Sequence, residues 1–418
     1  MRVPCSLVAI ALASACGDPA ASDDDDGSTG ASAASTASSA TSTSTSAGTS
    51  GGLESSSTLD ATTSVDASTS GESTGDPDTV DDTGVPATDG WIEIPATHLA
   101  DVCPPSTDAY DFSYACQAVL TAWNGAIADT TRDRLIVWGG GHGDYFGNEV
   151  YALDLDAQTL VRLNDPSPID NVGDCPFSYV DGTPSSRHTY DGLAYLEHAD
   201  AMFLFGGSRA SCGFLADDTW TLDLATLSWT DMQPAGEHPG GNPGVVADYD
   251  ADSGAVYLHD TAAFWRYELE GNAYTKLSDS YIDYHMTGRI DPVRQEFVIV
   301  GCSGCGDGGG AKRISIAAGS DYALEELALD GCDDLLAPVA PGLAWDPVRE
   351  QLVGWPGGTD VFALDLAALA CTRFESEGGP GDAQGNGTYG RWRYFPDEGV
   401  FAVVNDWQSN AYAFRLTR

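Results

Sequence analysis

An apolar run of strand length, Leu135-Ile136-Val137-Trp138, breaks at Gly139-Gly140-Gly141. The chain then crosses a polar loop and resumes as Val150-Tyr151-Ala152-Leu153 before Asp154-Leu155. That pattern predicts two strands of one sheet joined by a glycine-rich loop. Related units recur as Phe203-Leu204-Phe205-Gly206-Gly207 with Trp220-Thr221-Leu222-Asp223-Leu224, and as Leu352-Val353-Gly354-Trp355 with Val361-Phe362-Ala363-Leu364-Asp365-Leu366. The clearest internal echo sets Ile290-Asp291-Pro292-Val293-Arg294-Gln295-Glu296-Phe297 against Trp345-Asp346-Pro347-Val348-Arg349-Glu350-Gln351-Leu352. Asp-Pro between apolar flanks predicts a hairpin in each case. Closing strands carry Trp or Tyr, as in Leu227-Ser228-Trp229-Thr230 and Ala273-Tyr274-Thr275-Lys276-Leu277. From Trp91 onward no stretch has helical periodicity.

Four strands per unit at a spacing of about 40–65 residues fall in or above the range of propeller blades. Six units are counted, with first strands near Asn124, Thr189, Val245, Met286, Gly342 and Gly390. The last unit stops after its third strand, Ala411-Tyr412-Ala413-Phe414-Arg415-Leu416, and Trp91-Ile92-Glu93-Ile94 reads as the missing fourth. The expected fold is therefore all-β, a six-bladed propeller closed by the strand near Trp91. Residues 95–120 or 164–183 leave room for a degenerate seventh blade. Glycine pairs after a buried strand, then an aromatic strand and a Trp-bearing one, resemble the kelch repeats of galactose-oxidase-type β-propellers over nearly all of 91–418. That resemblance implies a fold and no one function, because such propellers serve enzymes and binding scaffolds alike.

The chain before the repeats differs in kind. Met1–Ala15 has one basic residue, Arg2, and an apolar core too short to span a bilayer, which suits an export signal. Small residues before Cys16 resemble a bacterial lipoprotein signal, with Cys16 lipidated; Ala13-Ser14-Ala15 also suits ordinary signal cleavage and secretion. Residues 17–89 are nearly all Ser, Thr, Ala, Gly and Asp, and cannot bury enough apolar surface to order themselves. The expected organisation is a signal over 1–16, a disordered linker over 17–89 and a propeller over 90–418, held at the outer membrane or cell surface.

Charge excludes one class of partner. The chain of 418 residues has 63 acidic and 18 basic residues. One basic and 14 acidic residues precede residue 90, leaving the rest at a net charge of −32. Nucleic acid needs a basic surface, so it is not the partner. Setting aside Cys5 and Cys16, Cys103, Cys116, Cys175, Cys212, Cys302, Cys305, Cys332 and Cys371 form an even set that suits disulfides in an exported chain. Neighbour pairing gives 103–116, 175–212, 302–305 and 332–371, among 105 connectivities that eight cysteines allow.

In a propeller, the loop between second and third strands opens on the same face as the segment leading into the next blade's first strand. His142, Asp144 and Tyr145 lie in such a loop. Arg187-His188-Thr189-Tyr190, Tyr284-His285-Met286-Thr287-Gly288-Arg289 and Tyr389-Gly390-Arg391-Trp392 lead into blades two, four and six. Histidine and tyrosine move protons, and arginine holds carboxylates bidentately. Together they suit β-elimination of a uronate-containing polysaccharide. The set is similar to propeller-fold polysaccharide lyases, ulvan lyases included, in residue type and placement. That likeness implies His142 or His188 as base or charge neutraliser, with Tyr145 alongside, and Tyr190 as proton donor. Arg187, Arg289 and Arg391 would bind the carboxylate, with His285, Tyr284 and Trp392 on the sugar. A second function, a non-catalytic module binding glycan or protein, fits the same face. The expected partner is an extracellular polysaccharide or cell-surface glycan, with membrane contact through the anchor alone and a monomeric chain.

No cofactor is required by these residues; structural zinc or calcium are the alternatives. Cys302-Ser303-Gly304-Cys305 with Cys332 lacks the second C-x-x-C of a zinc site. Asp248-Tyr249-Asp250-Ala251-Asp252-Ser253-Gly254 opens like a calcium loop but has His259 at its twelfth position, which favours a turn. A copper site of paired Tyr and His has its ligand types but no motif joining them. Gly308-Gly309-Gly310 with Lys312 lacks the spacing of a phosphate loop. Trp407, like Trp392, is available to stack on sugar.

Overall fold

The structure, a computed structural model, describes residues 84–301 and 310–416. Cys16, Cys302 and Cys305 fall outside the described residues, as does most of the linker. Six small antiparallel sheets form a six-bladed β-propeller. The innermost strands are Ala126–Asp129, Leu193–Leu196, Val246–Asp250, Met286–Asp291, Gly342–Asp346 and Trp392–Phe395, each packed on its two neighbours around the axis. Gly90–Ile94 pairs antiparallel with Ala411–Arg415, from Gly90 opposite Arg415 to Ile94 opposite Ala411, and completes the sixth blade. The ring is thereby closed by a strand from the other end of the domain.

The repeated Asp-Pro hairpins have a common cause. Asp291 accepts the backbone N–H of Val293 at 3.0 Å and of Arg294 at 2.9 Å, and Asp346 does the same for Val348 and Arg349 at 2.9 and 3.1 Å. Each carboxylate also takes its arginine's guanidinium at 2.8 Å. A side chain that imitates a backbone turn fixes the reversal locally. The same holds at Asp250, whose carboxylate accepts from Ser253 at 3.2 Å, so the segment resembling a calcium loop is a hairpin turn.

Neither stretch set aside for a seventh blade forms a sheet. Residues 95–122 carry a 3-10 turn and two single-turn helices, Phe112–Ala115 and Ala118–Thr121, tied by the Cys103–Cys116 disulfide. Residues 164–183 run as loop around the 3-10 turn Val172–Asp174. Helices of four residues leave no periodicity to read. Disulfides also join Cys175 to Cys212 and Cys332 to Cys371. Among the described residues no helix is long and apolar enough to cross a membrane.

Apolar faces of adjacent blades make the core. Trp392 belongs to it: the ring is fully buried, stacks on Phe401 at 5.0 Å and donates its Nε1–H to the Val353 carbonyl at 3.1 Å. The expected sugar contact is therefore replaced by packing between blades five and six. Trp407 is half-buried against the core between blades six and one.

Candidate functional site at the axial mouth

The six segments that lead into the inner strands converge on one end of the axis. Backbone hydrogen bonds join them: Tyr190 donates to the Trp123 carbonyl at 2.8 Å, Ala340 to that of His285 at 3.1 Å, and Tyr389 to that of Ala340 at 3.0 Å. Side chains continue the chain of contact. Trp123 meets His188 at 4.8 Å and stacks on His285 at 6.4 Å between ring centres. Tyr190 meets Tyr284 and Tyr389 edge-on at 6.5 and 6.1 Å. The blade-three segment contributes Gly244, at φ +77°, where a Cβ would lie 2.1 Å from the Tyr284 carbonyl oxygen. Only glycine lets Tyr284 approach there.

Blade two supplies the centre of this mouth by an irregularity. Its innermost strand is split into Arg187–His188 and Leu193–Leu196, both paired with Ala201–Arg209. Tyr190 lies in the gap at φ +49°, a left-handed conformation that bulky residues seldom adopt. Tyr389 holds the same φ on blade six. Tyr389 is fully buried and packs edge-on behind Tyr190, so the two left-handed turns seat one ring against the other.

His188 is 1% exposed, and its Nε2 lies 2.8 Å from Oδ2 of Asp144, which is 46% exposed. The His142 ring stands 4.5 Å from that of His188. One ligand atom each of His142, Asp144 and His188 lies within 4.8 Å of the other two. The His188 hydrogen bond, with help from His142, holds the Asp144 carboxyl below its ordinary range. Burial pulls His188 down despite the opposing hydrogen bond from Asp144. Burial also pulls His285 down to about 4, and its buried Nε2 has no hydrogen-bond partner among the described residues. Tyr190 is pushed up to about 12 by burial and bonds Ser208 Oγ at 3.2 Å. Tyr284, 39% exposed, is also raised by burial. The mouth thus sets two imidazoles with lowered pKa, His188 and His285, beside two phenols with raised pKa, Tyr190 and Tyr284.

The Cys175–Cys212 disulfide helps to place His142. Cys212 lies on the hairpin between the second and third strands of blade two. The neighbouring Ser211 donates its N–H to the His142 carbonyl at 2.5 Å.

Of the residues expected at this rim, His142, His188, Tyr190, Tyr284 and His285 do meet. The arginines do not join them. Arg187 is fully buried, paired with Asp218 at 2.6 Å and bonded to the carbonyls of Ser185, Gly206 and Phe177. Arg391 is fully buried and donates to the carbonyls of Asn124 at 3.0 Å and Gly387 at 2.6 Å. Arg289 points to the axis and pairs with Asp191. Tyr145 is buried in the core, and its hydroxyl donates to Glu149, as does that of Tyr151. These four side chains hold the scaffold. Asp144 and Tyr389 were placed on this face with no role assigned, and Trp123, which contacts His188 and His285, was not foreseen. The His142-Gly143-Asp144 spacing was the one available signal.

No protein-family model matches the chain, and no curated protein matches it. Among solved structures, a structural genomics protein of unknown function from Bacteroides thetaiotaomicron VPI-5482 is similar at a TM-score of 0.48 and 10% identity. The match covers 78% of this chain and 75% of that one. Likeness at this level carries no functional argument.

Proposed function

We propose that the axial mouth is the active site of an exported, lipid-anchored enzyme that cleaves extracellular polysaccharide by β-elimination at a uronate. The observation that carries this reading is the meeting, at one opening, of His285 beside Tyr284 at 3.7 Å between rings, with Tyr190 behind them and the His142, Asp144 and His188 group alongside. His285 is neutral at physiological pH and takes the C5 proton. Tyr284, at the lip, gives its proton to the leaving O4 oxygen, with Tyr190 as the phenol behind it. The C5–H and C4–O bonds break and a C4–C5 double bond forms. Acid–base assistance of this kind contributes about 10²–10⁴-fold in rate. The expected arginines are committed to the scaffold, so in this reading they do not neutralise the C6 carboxylate.

The kelch-type subclass and the likeness to propeller-fold lyases belong to this proposal, supported by the glycine and aromatic repeat pattern. Three disulfides suit an oxidising compartment and so support export. The chain acts as a monomer in this reading, with Cys16 as its membrane attachment.

The test is incubation with uronate polymers while recording near-ultraviolet absorbance of unsaturated products. Tyr284→Phe and His285→Gln should each reduce the rate by about 10²-fold or more with folding unchanged. Absence of product on every uronate polymer, together with retention on glycan arrays, would reassign the mouth to a non-catalytic binding module.

A further inference from the structure

The corner occupied by His142, Asp144 and His188 has the composition of a metal site. We infer that it binds one divalent first-row transition ion through two imidazole nitrogens and one carboxylate oxygen, leaving open positions toward the mouth. The inference rests on coordination geometry and not on the reaction assigned above.

Three features carry it. The donor atoms already lie within 4.8 Å of one another, with His188 Nε2 and Asp144 Oδ2 at 2.8 Å. Around one zinc ion, bonds of about 2.0–2.2 Å bring such atoms to roughly 3–4 Å apart, so an adjustment of about 1 Å completes the set. The donors also differ in rigidity in a useful way. His188 is fixed on a paired strand beside the Trp123 ring, while the Asp144 side chain is 46% exposed and can change rotamer to meet the ion. Finally, the donor types discriminate among metals. Two imidazoles and one carboxylate suit zinc, iron or cobalt, whereas calcium and magnesium prefer all-oxygen cages. Three protein ligands leave room for water or substrate, the arrangement of catalytic rather than structural sites.

The acidic surface, at a net charge of −32 from residue 90 onward, raises the local concentration of cations. With an ion in place the corner turns from anionic to cationic, and gains the positive charge that Arg187, Arg289 and Arg391 were expected to bring to a carboxylate substrate.

The test uses the full exported chain, freed of metal by a chelator and titrated with Co²⁺ and Zn²⁺ by absorbance and calorimetry, with no substrate present. One Co²⁺ per chain is expected, with visible bands of a low-coordinate nitrogen and oxygen site, displaced by Zn²⁺. His142→Ala and Asp144→Ala should each weaken affinity by more than the roughly 10–100-fold that follows loss of an outer partner. Both variants should still fold cooperatively in the metal-free state, with Asp144→Ala losing only the stability of its His188 hydrogen bond. His198→Ala, on an exposed imidazole bonded to Tyr249, should leave binding unchanged. Absence of Co²⁺ binding by the folded parent overturns the inference. So does binding that survives both loop substitutions at full affinity. Since no readout depends on turnover, a silent lyase assay leaves this result standing, and a failed metal titration leaves the lyase assay standing.

Discussion

Arg289 and Asp191 form a bidentate ion pair that joins blades four and two, with Nη1 to Oδ2 at 2.7 Å and Nη2 to Oδ1 at 3.1 Å. They come from blades four and two, 98 positions apart, and both are at most 2% exposed. Asp191 also accepts the Gly288 N–H at 2.8 Å, so its charge is met from the backbone as well. The residue expected to bind a substrate carboxylate binds one of the protein's own, and ties blade four to blade two past the blade between them. Breaking a buried pair by removing one partner leaves an uncompensated charge and costs about 3–5 kcal/mol. Asp191→Ala should therefore lower unfolding free energy by that amount in urea titrations. Replacing both partners, Asp191→Leu with Arg289→Met, should cost less than the sum of the single changes. Additive losses would show that the two residues act independently.

His259 sets part of the acid sensitivity. Its ring is buried in blade three and bonds Ser280 Oγ at 2.9 Å. Burial, with a smaller contribution from Lys312, pulls its pKa down to about 3 from an ordinary value near 6.5. Between those values the unfolded chain binds a proton that the folded chain refuses. Stability is therefore retained above pH 6.5 and falls as pH drops toward 3, by about 1.4 kcal/mol per pH unit for this group. Carboxylates held low in the fold add their own loss below pH 4. The contribution of His259 is isolated by difference: the denaturant midpoint of His259→Gln should fall less steeply than that of the parent between pH 6 and 4. Parallel curves would exclude it.

The Cys175–Cys212 disulfide closes a loop with a sequence separation of 37. Loop-closure entropy puts its stabilisation at about 4 kcal/mol, with measured bridges commonly giving 2–4. The double change Cys175→Ser with Cys212→Ser should lower the melting temperature by about 5–10 °C in calorimetry. Because the same hairpin holds the His142 carbonyl through Ser211, the change should also weaken Co²⁺ binding at the mouth. An unchanged melting temperature would place the stability of this face in the blades alone.

Much of this architecture was legible because a blade is a local object. Its strands are neighbours in sequence, its hairpins are set by Asp at the first turn position, and its apolar runs are four to six residues long. The closing strand at Trp91 was readable by elimination, since the final unit lacked a partner for Ala411–Arg415. The face that gathers His142, His188, Tyr190, Tyr284 and His285 followed from the direction in which each blade's chain runs. Trp392 was misread because a tryptophan beside a lead-in segment has the same pattern whether it faces solvent or the next blade.

Short-range patterning repeated around a ring was enough to count six blades, with room left for a seventh, to offer the neighbour pairing that three disulfides follow, and to show which loops share the axial mouth. Only the tertiary structure decided which charges are spent inside. Arg187 meets Asp218 31 positions away, Arg289 meets Asp191 two blades away, and Arg391 satisfies the Asn124 carbonyl of blade one. A buried guanidinium needs partners wherever the fold brings them, and no local pattern records that need. Asp144, left exposed and facing His188, became visible as a site residue for the same reason: its partner arrives from the next blade.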